Sequence, residues 1–448
     1  MSFLSNTTKV NSLTRTFPTL KQSFNKASSR HLSSQAFTKR TLNFALGTTT
    51  VLGIGLFSLY AFNTRSSIHE LVFAPLLRQL DEEVAHDLSI KLLSWNLGPK
   101  DHHKDSELLE TQLWGKRLSN PLGMAAGYDK NAQIPDKILK LGFGAVEVGS
   151  ITPLPQSGNP SKRLFRLNNT QAIINRMGLN NDGIEECKKR LEARFWKNAT
   201  EKSANDNHSS QSITSLADSV PKSGIDGRLL GVNVSKNSNS PSDSDSDFLT
   251  GIKELGPFAD YIVINISCPN VENLSSGSNM KMMDKTVSAA RAECNNLGDK
   301  KPALVIKIGP DYSENELKII SQIALKNNVD GIIATNTSRS RPEYIFKDEP
   351  NAKNAGGLSG PPIKNLALNT TRLVYKYTDK KIPIIGCGGV STAQDVLEYG
   401  RAGASFVQLY TSMIYQGPGV ASKIKDDLTV LLDGQKWSDI IGTEYSIY

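Results

Sequence analysis

Residues 384–411 read IIGCGGVSTAQDVLEYGRAGASFVQLYT: a short apolar run, a glycine-rich turn, a helix-permissive stretch, then a second apolar run closing on Tyr410-Thr411. The same alternation recurs upstream, with apolar runs at Leu122–Ala126, Ala145–Val148, Leu229–Val234, Tyr261–Ile266, Ala303–Ile308, Gly331–Ala334 and Ile382–Ile385, before the last at Ser405–Leu409. Near-continuous Val/Ile/Leu runs mark strands covered on both faces, as in a parallel sheet wrapped by helices. Eight such units predict an α/β fold of the (β/α)8 TIM-barrel type spanning 105–440, with a doubly wound open sheet as the alternative. Two Ser/Asn/Asp-rich stretches, 197–227 and 235–247, carry too little apolar content for a core and read as disordered, solvated insertions.

The 448-residue chain has a net charge of +8, and its placement decides its meaning. Residues 1–65 hold eight Lys/Arg and no acid, leaving 44 basic against 44 acidic residues beyond them. A basic, Ser/Thr-rich, acid-free leader predicts a mitochondrial transit peptide over 1–41, with a disordered basic tail as the alternative, and removes the case for a nucleic-acid partner. Residues 42–62, LNFALGTTTVLGIGLFSLYAF, carry no charge and are long enough to cross a bilayer. They predict a single-pass anchor in the inner mitochondrial membrane, the body facing the intermembrane space; a buried helix is the alternative. Over 67–98, Ser67–Leu80 and Asp81–Trp95 read as two amphipathic helices, the second capped by Asp81 with Val84, Leu88, Leu92 and Trp95 at helical spacing. They either cap the barrel or form a membrane-proximal lip for a lipid-soluble substrate. The four cysteines, Cys187, Cys268, Cys294 and Cys387, show neither a C-x-x-C pair nor metal-ligand spacing, so no metal is expected.

Barrel active sites lie at the C-terminal strand ends, so the polar residues following each run are the candidates. In order they are Ala125-Ala126-Gly127 with Asp129-Lys130, Gly149-Ser150, Asn233, Asn265 with Cys268, Lys307, Thr335-Asn336-Thr337, Gly386 with Gly388-Gly389, and Tyr410-Thr411. The glycines and Tyr410-Thr411 suit the phosphate site that barrels build after strands seven and eight. A Schiff-base lysine, at Lys307 or Lys130, is a competing reading for which no nearby acid/base partner is evident.

The segments NPLGMAAGYDK (120–130), GFGAVEVGSITPLPQSGNP (142–160), INRMGLNN (174–181), YIVINISCPN (261–270), IATNTS (333–338), GGLSGPP (356–362), IIGCGGV and VQLYT together resemble the dihydroorotate dehydrogenases, over about residues 68–440. The N-terminal architecture resembles the quinone-reducing, membrane-anchored class. That resemblance implies FMN held by Ala125, Ala126, Gly127, Ser150, Asn233, Asn265, Lys307, Thr335, Gly360, Gly389, Tyr410 and Thr411. It implies dihydroorotate, or its product orotate, held by Lys130, Asn175, Arg176, Met177, Gly178, Leu179, Asn265, Asn270, Asn336 and Thr337. Cys268 falls at the catalytic base position, where quinone-linked members usually carry serine and soluble fumarate- or NAD-linked members carry cysteine. His86 and Arg166 match positions lining the ubiquinone tunnel. The expected partners are dihydroorotate, ubiquinone and inner-membrane lipid, with no protein partner evident. The alternatives are a fumarate- or NAD-linked acceptor, another flavin-barrel pyrimidine oxidoreductase, and a tethered nucleotide-binding barrel without turnover.

Overall fold

Eight parallel strands close into a ring: Leu122–Met124 (β1), Ala145–Ile151 (β2), Leu229–Val234 (β3), Tyr261–Asn265 (β4), Ala303–Ile308 (β5), Gly331–Ala334 (β6), Ile384–Cys387 (β7) and Ala404–Leu409 (β8). Each pairs with its neighbours in sequence order, and β5–β6 and β8–β1 complete the closure. This is a computed structural model, which describes residues 43, 50, 53, 55–205, 220–266 and 277–445. The chain divides into two units, Met1–Tyr60 and Ala61–Tyr448. In the first, residues 55–60 are helical. The expected transit peptide lies outside the described residues, as do residues 42, 44–49, 51, 52 and 54 of the expected anchor at 42–62. Among the described residues no helix is long and apolar enough to cross a membrane.

Period-two alternation explains why the apolar runs are nearly continuous. Ala145, Leu229, Tyr261, Val263, Val305, Ile333, Ile385 and Phe406 point inward and form one buried cluster. Residues between them, such as Val146, Leu230, Ile262, Leu304, Ile332 and Val407, join the larger core shared with the helices. Inside, Gly231 and Tyr261 fit one another: a Cβ at 231 would stand 2.1 Å from the phenol Cζ. Five strands differ in their bounds from the sequence reading, β2, β4 and β8 by one to three residues at one end, and two of the differences have a local cause. β7 begins at Ile384 because Pro383 has no N–H to give the ladder, and β1 ends at Met124, where Ala125 N bonds to Leu409 O and the chain turns into the site.

The barrel floor is closed by a hairpin, Thr111–Leu113 with Lys116–Leu118, whose Leu113 and Leu118 seal the inner cluster. Beside it lies a buried ionic cluster. Lys425, in the helix Val420–Leu431, donates to Asp101 Oδ2 at 2.8 Å and Asp105 Oδ1 at 2.5 Å. Arg65 pairs with Asp101 and Asp426, and Arg228 with Asp105.

In the N-terminal extension the helix expected over Ser67–Leu80 forms over a shorter span and in two spacings, a widened first part, His69–Phe73, running directly into an α-helical part, Ala74–Leu77. Pro75 cannot donate to a continuous ladder, and the shift to a wider spacing accommodates it. The second helix runs Glu82–Ser94 with Asp81 at its N-cap, accepting from Glu83 N and Val84 N. The two expected insertions are largely ordered where they are described. The helix Gly183–Asn205 runs into the first, whose residues 206–219 lie outside the described set. The second folds on itself: Asp247 Oδ2 accepts from Asn237 N at 2.8 Å and Ser240 Oγ at 2.6 Å, and Asn237 Nδ2 reaches Gln156 Oε1 at 2.9 Å. Ser, Asn and Asp that cannot make a core here satisfy one another and the backbone.

Candidate active site

At the C-terminal strand ends lies a cavity of about 1400 Å3. Its upper wall is an antiparallel sheet of Leu164–Leu167, Ala172–Asn175 and Gly357–Ser359, and the loop 235–247 contributes Lys236 to Ser240 to its rim. Every residue that the resemblance assigns to FMN lines it, as do Lys130, the loop Asn175–Leu179, Asn336, Thr337 and His86. The inward alternation brings them together: the series that buries Gly231, Val263, Val305 and Ile333 one layer down continues to Asn233, Asn265, Lys307 and Thr335 at the mouth. Cys268 and Asn270 lie outside the described residues. Arg166 does not line the cavity; its Nη1 donates to Leu80 O at 2.7 Å and Arg78 O at 3.1 Å, tying the N-terminal extension to the sheet.

Hydrogen bonds fix most of these groups. Asn233 Oδ1 accepts from Ser150 Oγ at 2.5 Å, while its Nδ2 donates to Glu147 Oε1 at 2.8 Å. Glu147 Oε2 accepts from Gln408 Nε2 at 2.7 Å, and Lys307 Nζ stands 3.5 Å from Oε1. Thr335 N donates to Cys387 O at 2.6 Å, and Asn336 N to Ile308 O at 2.7 Å. Asp129 accepts from Gln133 N and Ile134 N, both at 2.8 Å, shaping the turn that presents Lys130. Burial lowers the Lys130 ammonium below its ordinary range, against the opposing charges of Glu83 and Asp87. Gly389, at φ +69°, packs so closely that a Cβ would stand 2.6 Å from Lys364 Cβ.

At the end nearest the N-terminal helices, His86 and Tyr128 meet edge to face at 5.5 Å, and Tyr128 meets Tyr410 at 6.1 Å. Tyr128 donates to Ser89 Oγ at 3.0 Å. Burial, helped by the charge of Lys130, pushes the His86 imidazole down to about 3. Burial also pushes the Tyr128 phenol up to about 12 and raises that of Tyr410. Both phenols and the imidazole are therefore neutral at physiological pH.

Sequence reasoning passed over Tyr128, Glu147 and Gln408. Their signal was present: Glu147 in AVEV and Gln408 in FVQL are polar residues inside apolar strand runs, and Tyr128 sits within GYDK. Glu147 also supplies Lys307 with the ionic partner that the sequence did not reveal.

The fold and site together define a (β/α)8-barrel enzyme whose polar groups converge at the strand C-termini around a deep slot lined by Lys307, which is backed by the buried Glu147. The family model for dihydroorotate dehydrogenase matches residues 108–432. The mitochondrial dihydroorotate dehydrogenase (quinone) of Schizosaccharomyces pombe is 38% identical over 388 residues, covering 85% of this chain and 87% of its own. That of Mus musculus is 39% identical over 418 residues, covering 91% and 98%. A crystal structure of ligand-free DHODH from Eimeria tenella superposes with a TM-score of 0.72 at 36% identity, covering 82% of this chain and 99% of that one. The chain belongs to the dihydroorotate dehydrogenase family.

Proposed function

We propose that this chain oxidises (S)-dihydroorotate to orotate with FMN as redox cofactor and ubiquinone as electron acceptor, a step of de novo pyrimidine (UMP) synthesis. The observation that carries this reading is the convergence of Lys130, Asn175, Asn336, Thr337 and Lys307 on one cavity that the inner strand alternation floors. The residues present fit FMN. Ser412 Oγ and Gln408 Oε1, both on the cavity wall, are buried with no protein partner among the described residues, leaving polar atoms for a ligand to satisfy. Ala125, Ala126, Gly127, Ser150, Asn233, Asn265, Thr335, Gly360, Gly389, Tyr410 and Thr411 would hold it, with Lys307 supplying fixed positive charge. Bound there, FMN supplies the two-electron chemistry that joins substrate oxidation to quinone reduction.

The chain's own groups then divide the remaining work. Lys130 pairs with the substrate carboxylate, while the loop Asn175–Leu179, with Asn265, Asn270, Asn336 and Thr337, offers amide donors and acceptors to a cyclic ureide. Cys268 takes the C5 proton. A thiol of pKa about 8.5 is a few per cent thiolate at neutral pH, which makes it a more available base than a hydroxyl. Neutral His86 can donate to a quinone carbonyl, and Arg166 steadies that end of the site through the carbonyls of residues 78 and 80.

Delivery of ubiquinone from the bilayer is part of the proposal. We assign 1–41 to mitochondrial targeting, 42–62 to a single-pass inner-membrane anchor with the body facing the intermembrane space, and 67–98 to a membrane-proximal lip. The exposed Leu71, Leu76, Val84 and Trp95 on that lip support contact with lipid. The relatives named for quinone favour this acceptor over fumarate or NAD despite Cys268. The test is anaerobic mixing of the flavin-loaded, detergent-solubilised full chain with dihydroorotate, then reoxidation with a short-tailed ubiquinone, fumarate or NAD. Flavin bleaching with recovery on quinone alone is expected. Absence of bleaching removes the substrate assignment, and recovery on fumarate or NAD removes the acceptor.

A further inference from the structure

Glu147 is a carboxylate where a barrel interior ordinarily carries Val, Ile or Leu. It sits on β2, entirely buried, and does not line the cavity, so it touches neither substrate nor cofactor. Burying a carboxylate is costly unless it is paired and hydrogen-bonded. Here two neutral amides, Asn233 Nδ2 at 2.8 Å and Gln408 Nε2 at 2.7 Å, satisfy its oxygens without cancelling its charge. The balancing charge comes from Lys307, whose Nζ stands 3.5 Å away and which does line the cavity.

Two consequences follow from this arrangement. By accepting from the NH2 ends of both amides, Glu147 fixes which way each one faces. Asn233 is left presenting Oδ1, which takes Ser150 Oγ, and Gln408 is left with Oε1 buried and unpartnered at the cavity wall. Glu147 also offsets the positive charge that Lys307 brings to the site. A hydrophobic residue of similar volume could fill the space under a neutral partner at no cost in stability, so packing does not account for the carboxylate.

We infer that Glu147 is a positioning residue that lowers the two-electron reduction potential of the bound flavin by partly neutralising Lys307 and orienting Asn233 and Gln408. The inference rests on the FMN reading above. Reduction adds negative charge near the flavin pyrimidine ring, which Lys307 favours and Glu147 opposes. Removing the Glu147 charge while keeping its shape should therefore raise the potential.

The experiment is reductive titration of the flavin-loaded full chain against a reference dye, comparing wild type with Glu147→Gln, Glu147→Asp and Glu147→Gln in a Lys307→Met background. Glu147→Gln should favour the reduced flavin about tenfold, which is about 30 mV for a two-electron couple. Glu147→Asp, whose charge is drawn back from Lys307, should shift it less in the same direction. In the Lys307→Met background the fully buried carboxylate has lost its ionic partner and takes up a proton, so Glu147→Gln should leave the potential nearly unchanged there, and a shift as large as that in the wild-type background overturns mediation through Lys307. A folded, loaded Glu147→Gln with the wild-type potential overturns the inference. If that variant does not fold, a wild-type potential in Glu147→Asp overturns it, and failure of both to fold assigns Glu147 to barrel stability instead. A wild-type chain that bleaches with dihydroorotate while the variants show no shift sinks only this inference, whereas a wild-type chain that binds no flavin sinks both readings.

Discussion

Replacing Lys425 by Met keeps the aliphatic stem and deletes one charge from the barrel floor. Asp101 and Asp105, 3% and 5% exposed, each lose their shortest-range lysine contact but keep a second cation, Arg65 or Arg228. Removing one partner of a buried pair costs about 3–5 kcal/mol, and the surviving cations place this case near about 3 kcal/mol. The electrostatics of the Asp101 carboxyl point the same way. Burial pushes it up, but the charge and hydrogen bond of Lys425, the His103 N–H and Arg65 together bring it down from 3.8 to about 2. That depression corresponds to about 2 kcal/mol of folded-state stabilisation at neutral pH, shared among Lys425, His103 and Arg65. For a unit of this length, with an unfolding entropy of about 2.1 cal/mol/K per residue, a loss of about 3 kcal/mol lowers Tm by about 4 °C. Because the folded-state pKa is depressed, the stabilisation is complete above the unfolded value and disappears as pH falls through the folded one. Scanning calorimetry of Lys425→Met and wild type should thus show a constant gap from pH 5 to 8 that narrows to about half near pH 3. A gap under about 1 °C at pH 7, or one as wide near pH 3 as at pH 7, would refute the ionic account of the floor.

Other outcomes are expected in solution. Cys268→Ala should lose flavin reduction by dihydroorotate by orders of magnitude, while Cys268→Ser should keep activity with its pH profile moved upward; equal stopped-flow rates in all three would take Cys268 out of the mechanism. His86, neutral down to about pH 3, should give a KM for ubiquinone that is flat from pH 5.5 to 8, and a titration near 6.5 in that profile would contradict the burial argument. Lys130→Ala should raise the KM for dihydroorotate at least about tenfold and leave that for ubiquinone unchanged, and a shift of both would place Lys130 outside a dedicated substrate site. Asn237→Ala removes side-chain bonds to Gln156 and Leu154 and should cost about 1–2 kcal/mol in urea titrations; a neutral effect would return the 235–247 loop to the solvated status its composition suggested.

The barrel was legible because its strands are covered on both faces: runs such as LVIKI and YIVIN have no polar face to lose in the pattern. The residues ending those runs were legible as site residues for the same reason, since Asn233, Asn265, Lys307 and Thr335 continue an inward series. What the sequence hid were relations across strands. Glu147 in β2 meets Lys307 in β5 and Gln408 in β8, separations of 160 and 261 residues that no local pattern encodes. The 235–247 loop was misjudged for a related reason. Composition reports the absence of a core, but Asn237 finds Gln156 on another loop, and such pairings order a polar segment without apolar burial. The widened turn at His69–Phe73 came from one residue, Pro75, whose effect on the preceding ladder helical periodicity does not register.

The pairing of Gly231 with Tyr261 has a consequence for how this barrel could be redesigned. The phenol occupies the volume that a side chain at 231 would need, so the two positions behave as a single locus. Any residue larger than glycine at 231 demands a smaller one at 261 in the same step, and a smaller residue at 261 alone opens a void between the inner cluster and the Glu147 layer above it. Mutational paths that change the interior one position at a time are closed at this point, while libraries that vary 231 and 261 jointly remain open, and the depth of the slot should be adjustable there without disturbing the rim.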